Sequence, residues 1–197
     1  MAYTSEERMS LLLLALDSIE SGVRSGIPTT INDGTYSGAL NEPRASFVTL
    51  KKAGALRGCI GSLEAHSCLV DDVAANAFAA AFRDPRFQKL ESDEMDLLNI
   101  GISVLGPREA LTFDSQQSLL DTLRPGQDGL VLHEGNARAT FLPAVWESLP
   151  QPAAFLQQLK IKAGLTPDHW SETLRVWRYT TESFAADVAE IRKSRES

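Results

Sequence analysis

The segment Leu56-Arg57-Gly58-Cys59-Ile60-Gly61 is where residue types and spacing come closest to chemistry. On an extended strand successive side chains alternate faces, so residues two apart lie roughly 6.5–7 Å from each other on one side. Arg57 and Cys59 are therefore expected to share a face. A guanidinium held beside a thiol favours the thiolate, the form that attacks electrophiles or binds soft metals. Gly58 and Gly61 remove side chains, which lets a ligand approach the backbone. On this reading Cys59 is a nucleophile or adduct carrier, Arg57 stabilises the thiolate or holds an anionic group, and the amides of Gly58 and Gly61 hold a developing oxyanion. The same residues admit a plainer reading, with Cys59 a small buried hydrophobe, Arg57 facing solvent, and the glycines accommodating a bulge or a crossing helix. A third puts no chemistry there at all, only a glycine-flanked groove that binds a peptide, a partner or a small molecule.

The elements that must position this segment follow from periodicity. Thr4 to Val23 carries Met9, Leu12, Leu13, Leu16, Ile19 and Val23 at helical spacing, with Thr4 or Ser5 as cap and Glu6 and Glu7 at its positive end. Residues 25 to 44, rich in Gly, Thr, Asn, Asp and Pro, read as a long surface loop. Ala45 to Leu50 and Leu56 to Leu63 flank a turn at Gly54 and predict a hairpin whose second arm carries the hexapeptide. Ser67 is the expected cap of an alanine-rich helix from Cys68 to Arg83, stopped by Pro85. An acidic connection, Glu91 to Asp96, leads to a strand over Asn99 to Leu105, a turn at Gly106-Pro107, and a second short strand ending near Phe113. A short helix over Ser115 to Leu123 follows. Gly129 to His133 and Ala137 to Leu142 flank Gly135-Asn136 as a second hairpin, Pro143 opens a short helix, Pro152 to Ala163 a longer one, and Thr173 to Tyr179 reads as the last strand. This order predicts an α+β fold with mainly antiparallel pairing. Trp146, Trp170 and Trp177 are expected in the core or at a seam.

Composition narrows the function classes. With 43% hydrophobic and 23% charged residues in 197, the chain is globular rather than disordered. Its apolar run Leu11 to Leu16 is far short of a membrane span, and the acidic start lacks a basic leader, so a cytoplasmic protein is expected. A net charge of −7 argues against general nucleic-acid binding, leaving RNA recognition as a lesser alternative. Cys59 and Cys68 are expected as free thiols in a reducing compartment. Cys68, at a predicted helix start, is expected to have a lowered pKa and is the conceivable redox partner of Cys59. His66, His133 and His169 show no metal-ligand spacing, so no metal site and no cofactor is expected.

The hexapeptide Leu-Arg-Gly-Cys-Ile-Gly resembles the signature of the AMMECR-one family. The resemblance continues through Phe47-Val48-Thr49-Leu50-Lys51, Leu63-Glu64, Ala81-Phe82-Arg83-Asp84-Pro85-Arg86-Phe87, Ile102-Ser103-Val104-Leu105, Gly129-Leu130, Phe141-Leu142-Pro143 and Lys162-Ala163-Gly164-Leu165, roughly residues 8 to 185. It implies a single domain of two sub-domains sharing a cleft lined by the hexapeptide. Bacterial and archaeal members resemble the first component of a three-part system with a Memo-like protein of the extradiol-dioxygenase fold and a radical SAM protein, which are the partners implied here. Carried onto this chain, the suspected catalytic pair is Cys59 and Arg57. Gly58, Gly61, Lys51, Thr49, Glu64, Asp84 and Arg86 are the suspected substrate-binding residues. Lys51 beside Lys52 equally serves hairpin solubility, Glu64 a strand end, and Asp84 and Arg86 a helix terminus whose last carbonyls the arginine would bond. One departure stands out: where relatives often carry a second cysteine before Lys-Ala-Gly-Leu, this chain has Lys160.

Overall fold

The computed structural model describes residues 3–32 and 34–195. They divide into two compact units, one formed by the chain up to Leu105 with the segment from Glu182 onward, the other by Gly106–Thr181.

The first unit begins with helix α1, Ser5–Ser25. Thr4 is its cap: its hydroxyl accepts from the Glu7 amide while the Glu7 carboxylate accepts from the Thr4 amide, the reciprocal arrangement that satisfies two orphan donors. The 25-to-44 loop contains one 3-10 turn, Gly38–Asn41. Strands β1, Ser46–Lys52, and β2, Ala55–Gly61, form the expected hairpin. Its turn takes positive φ at both Ala53 (50°) and Gly54 (81°), the mirror-image turn whose twist suits a two-residue hairpin. Helix α2, Leu69–Phe82, follows. Its cap is Cys68 rather than Ser67, without a side-chain bond to the helix amides. A 3-10 turn, Ser92–Leu97, then leads into β3, Leu98–Leu105.

The sheet of this unit runs β2-β1-β3-β8, where β8 is Thr181–Asp187, and helix α5, Val188–Arg195, comes after it. Both β8 and α5 lie beyond the strand expected to be the last. Their signal is weak because β8 alternates around alanines, and α5 buries only Val188 and Ile191. On one face of the sheet Val48, Leu50, Ile100 and Ile102 join Leu11, Leu16 and Ile19 of α1 and Val73 and Ala77 of α2 in one buried core. A polar rivet crosses it: the Ser46 amide and hydroxyl donate to Asp72 Oδ2 at 2.7 Å each, and Asn76 Nδ2 donates to the same oxygen at 2.8 Å. Buried polar groups satisfied this fully fix the register of helix on strand.

The second unit contains β4, Glu109–Ala110, α3, Gln116–Thr122, β5, Gly129–Glu134, β6, Ala137–Phe141, α4, Pro152–Lys162, and β7, Arg175–Tyr179. Its antiparallel sheet runs β4-β7-β5-β6. Trp146 is core, stacked on Phe155 at 3.8 Å, and its indole N–H donates to the Asp128 carbonyl. Trp170 departs from expectation and is 36% exposed. Lys160 is fully buried; its ammonium donates to Gln116 Oε1 at 2.6 Å and lies 5.8 Å from the Trp170 ring centre. Burial lowers its pKa.

Candidate functional site

Strand β2 is an edge strand, and its pairing with β1 is irregular at one point. Thr49 faces Cys59 and Leu50 faces Gly58, but Lys51 faces Leu56, so Arg57 is passed over. One extra residue of this kind is a bulge, and it breaks the alternation that predicts Arg57 and Cys59 on one face. The two side chains go to different partners. Arg57 reaches the 3-10 turn before β3, where its Nε and Nη2 donate to the two Glu94 oxygens at 3.0 and 2.8 Å. Lys52 Nζ donates to Glu94 Oε1 at 2.9 Å. Arg57 Nη2 also reaches the Lys89 carbonyl at 3.3 Å, while Nη1 is buried without a hydrogen-bond partner. The guanidinium expected to serve the thiol is therefore bound to a carboxylate of the acidic connection between α2 and β3.

Cys59 is half-buried, and its Sγ lies 3.2 Å from the Thr49 hydroxyl. Its backbone is held more firmly than its side chain. The Cys59 amide donates to Asp84 Oδ2 at 2.9 Å, and the Cys59 carbonyl accepts from Arg86 Nη2 at 3.3 Å. Asp84 and Arg86 are themselves paired, with Arg86 Nε and Nη2 donating to the two Asp84 oxygens at 2.9 and 2.6 Å and the Arg86 amide closing the segment at 3.1 Å. The arginine thus bonds strand and aspartate rather than the last carbonyls of α2. The pair occupies the free hydrogen-bonding edge of β2 as a neighbouring strand would, which blunts an otherwise unpaired edge. The Asp84 side chain is 1% exposed. Hydrogen bonds from Arg86 above all, then the Cys59 and Arg86 amides, hold its carboxyl far below the usual carboxylate range against the cost of burial.

The two glycines have packing duties. A Cβ on Gly58 would stand 2.1 Å from the Ala80 carbonyl oxygen of α2, and one on Gly61 2.3 Å from the Phe47 ring and 2.4 Å from the Ser46 carbonyl oxygen. A crossing helix and an aromatic ring fill the space that a side chain would take at these two glycines. Nor is the Gly58 amide free for an oxyanion. The Cys59 amide points away from β1, so its neighbours along the strand direct theirs into the ladder. Room for a small side chain lies elsewhere. Cys59 on β2, Thr49 on β1 and Gly101 on β3 are register partners across the sheet, and a Cβ on Gly101 would meet Ala185 of β8 at an ordinary 3.7 Å. These four form a row of small residues on the face turned away from α1 and α2, as the alternation with buried Val48, Leu50, Ile100 and Ile102 requires. Gly101 and Ala185 were not legible as site residues, because only strand pairing across the sheet brings them beside Cys59.

The remaining expected residues scatter. Lys51 is exposed near the hairpin turn. Glu64 lies in the exposed segment after β2, 3.7 Å from His66. Cys68 donates its thiol to Asp71 Oδ2 at 2.9 Å; burial first, then that bond, raises its pKa and outweighs the lowering by the Asp71 amide, so the expected lowering is corrected. Both cysteines are free thiols. Among the described residues no three His, Cys, Asp or Glu side chains gather to hold a metal ion, and no helix is long and apolar enough to cross a membrane.

The Glu94 cluster predicts an acid limb. Hydrogen bonds from Arg57 first, then Lys52 and the Glu91 amide, carry the Glu94 carboxyl from 4.5 down to about 2. A carboxylate depressed in the folded state stabilises the fold fully above its unfolded pKa and loses that contribution as pH falls through the folded one. Stability should therefore fall between about pH 4.5 and 2, and Glu94→Gln should flatten that slope in urea titrations. Parallel profiles for the two proteins would refute the assignment.

Two compact units with antiparallel sheets and packed helices make this an α+β protein. The chain belongs to the AMMECR1 family, whose model matches residues 12–184. A protein of Methanothermobacter thermautotrophicus is 34% identical over 188 residues, covering 92% of this chain and 95% of that one. One of Methanosarcina mazei is 35% identical over 184 residues, 92% of each chain. In three dimensions the chain is similar to the crystal structure of an uncharacterized protein from Pyrococcus horikoshii, with a TM-score of 0.83, 32% identity and 90% of both chains covered.

Proposed function

We propose that the protein acts by binding, with the sheet face that carries Cys59, Thr49, Gly101 and Ala185 receiving a peptide segment or a small molecule. The observation that carries this reading is the row of small residues ending at a half-buried thiol whose backbone is fixed on both sides by Asp84 and Arg86. A surface that is flat, short in side chains and rigid admits another backbone at little ordering cost. The proteins to try first as occupants are the Memo-like and radical SAM proteins that membership in this family implies.

Nucleophilic use of Cys59 is the second reading. Its half-exposure favours it, but among the described residues the thiol's hydrogen-bonding side chain is the Thr49 hydroxyl, which is no base. For Arg57 to activate the thiol it would first have to leave Glu94. Purified chain, immobilised and offered the Memo-like and radical SAM proteins of the same organism, separates the readings. Gly101→Leu fills the row at a position with room for a Cβ, whereas a side chain at Gly61 would disrupt the hairpin itself. Capture kept by Cys59→Ser and lost by Gly101→Leu is expected. Loss with Cys59→Ser alone would turn the assignment to thiol chemistry, and no capture by the unmodified chain would remove the binding reading with these partners.

A further inference from the structure

At the far ends of α1 and α2 lies a cavity of about 420 Å³, away from the small-residue face and independent of any role for it. Its floor is apolar: Phe78 and Phe82 stand with ring centres 5.0 Å apart, and Val23 and Leu90 complete it. Its polar lining is cationic. Arg83 and Lys89 both border the space, both are exposed, and no acidic side chain lines it. Neither cation has an ion-pair partner among the described residues, so both are available to a ligand.

Helix ends offer a structural use for such cations, since guanidinium and ammonium groups commonly bond the last carbonyls. Three carbonyls near those ends are served otherwise. The Gly22 carbonyl accepts from the Gly26 amide, the Ser21 carbonyl from the Ser25 hydroxyl, and the Ala79 carbonyl from the Arg83 backbone amide. The Arg83 guanidinium instead lies over the Phe78 ring at 5.0 Å, an arrangement that holds it at the mouth of the cavity with its N–H groups turned to no carboxylate. Lys89 is fixed from behind, because its carbonyl accepts from Arg57.

We propose that this cavity is a binding site for a small amphiphilic anion: one apolar ring or short chain seated against Phe78, Phe82, Val23 and Leu90, with a single carboxylate or phosphate head between Arg83 and Lys89. The size suits a one-ring ligand, at the lower end of pockets that enclose small molecules. An arginine offers a planar fork to either head group, and a lysine adds a point charge.

The test is titration of the full chain with 3-phenylpropionate, phenyl phosphate and the neutral 3-phenylpropanamide, read in amide NMR spectra. Both anions should shift the Gly22, Gly26, Arg83 and Leu90 amides saturably, at least roughly tenfold more tightly than the neutral amide. The ratio of the two anions tells a carboxylate site from a phosphate site. Arg83→Gln and Lys89→Glu, both at exposed positions, should each weaken anion binding by about tenfold or more without shifting the thermal midpoint. Equal binding of acid and neutral amide, shifts centred elsewhere, no saturable shift at millimolar ligand, or unaltered binding by both variants would each overturn the proposal.

Discussion

Replacing Asp84 with alanine is expected to lower unfolding stability by about 3 kcal/mol, seen as a fall in the urea midpoint at constant m-value. Its carboxylate is buried and accepts from the Cys59 amide and from three nitrogens of Arg86. Truncation strands the Cys59 amide on an edge strand and releases Arg86, whose own half-exposed side chain recovers water and so limits the loss. Asp84→Asn keeps one acceptor and should cost about half as much. A second readout is specific to the clamp: alkylation of Cys59 by iodoacetamide in the folded protein should accelerate in Asp84→Ala, because both anchors of its backbone depend on this carboxylate. A loss below about 1 kcal/mol with unchanged labelling would show that the edge is held by β1 alone.

The second large effect concerns Gly58. An added methyl group would sit 2.1 Å from a helix carbonyl oxygen and 3.0 Å from its carbon, atoms that cannot rotate away as a side chain would. Gly58→Ala should therefore cost about 3 kcal/mol or more, the upper range for overpacking, and Gly58→Val should leave little folded protein. Gly101→Ala is the matched control in the same sheet. Its Cβ meets neighbours no closer than 3.7 Å, and removing a strand glycine should leave stability unchanged or raise it by about 0.5 kcal/mol. Similar losses at both positions would mean that backbone freedom, rather than the approach of α2, explains the glycine in the hexapeptide.

Local chemistry made much of the fold legible. The Thr4 cap with Glu7, the turn before Ala55, the alanine face of α2 and the Gly135 hairpin are all written within a few residues of where they act. What escaped depends on distant chain. The bulge at Arg57 answers to Glu94, 37 positions away in sequence, and Asp84 finds its partner Cys59 on an edge strand 25 positions back. Of the two readings left open for the hexapeptide glycines, the crossing helix is correct for Gly58, and a bulge does occur, one residue earlier. Cys59 is neither fully buried nor beside Arg57. The strand β8 and helix α5 were missed because each contributes few apolar groups and relies on long-range polar contacts instead, such as Glu182 with Arg8 and Arg192 with Glu20.

That last dependence has a consequence for biosynthesis. The chain leaves the first sheet at Leu105 and re-enters it only at β8, after the whole of the second unit has been made. On the ribosome α1, α2 and the first three strands emerge early, but the outer edge of β3 stays unpaired and Arg8 and Glu20 stay without their partners until the closing segment is synthesised. The second unit, contiguous in sequence, can complete itself during that interval. The part bearing Cys59 is thus begun first and finished last, and a nascent chain stalled before β8 would present an open strand edge to its neighbours.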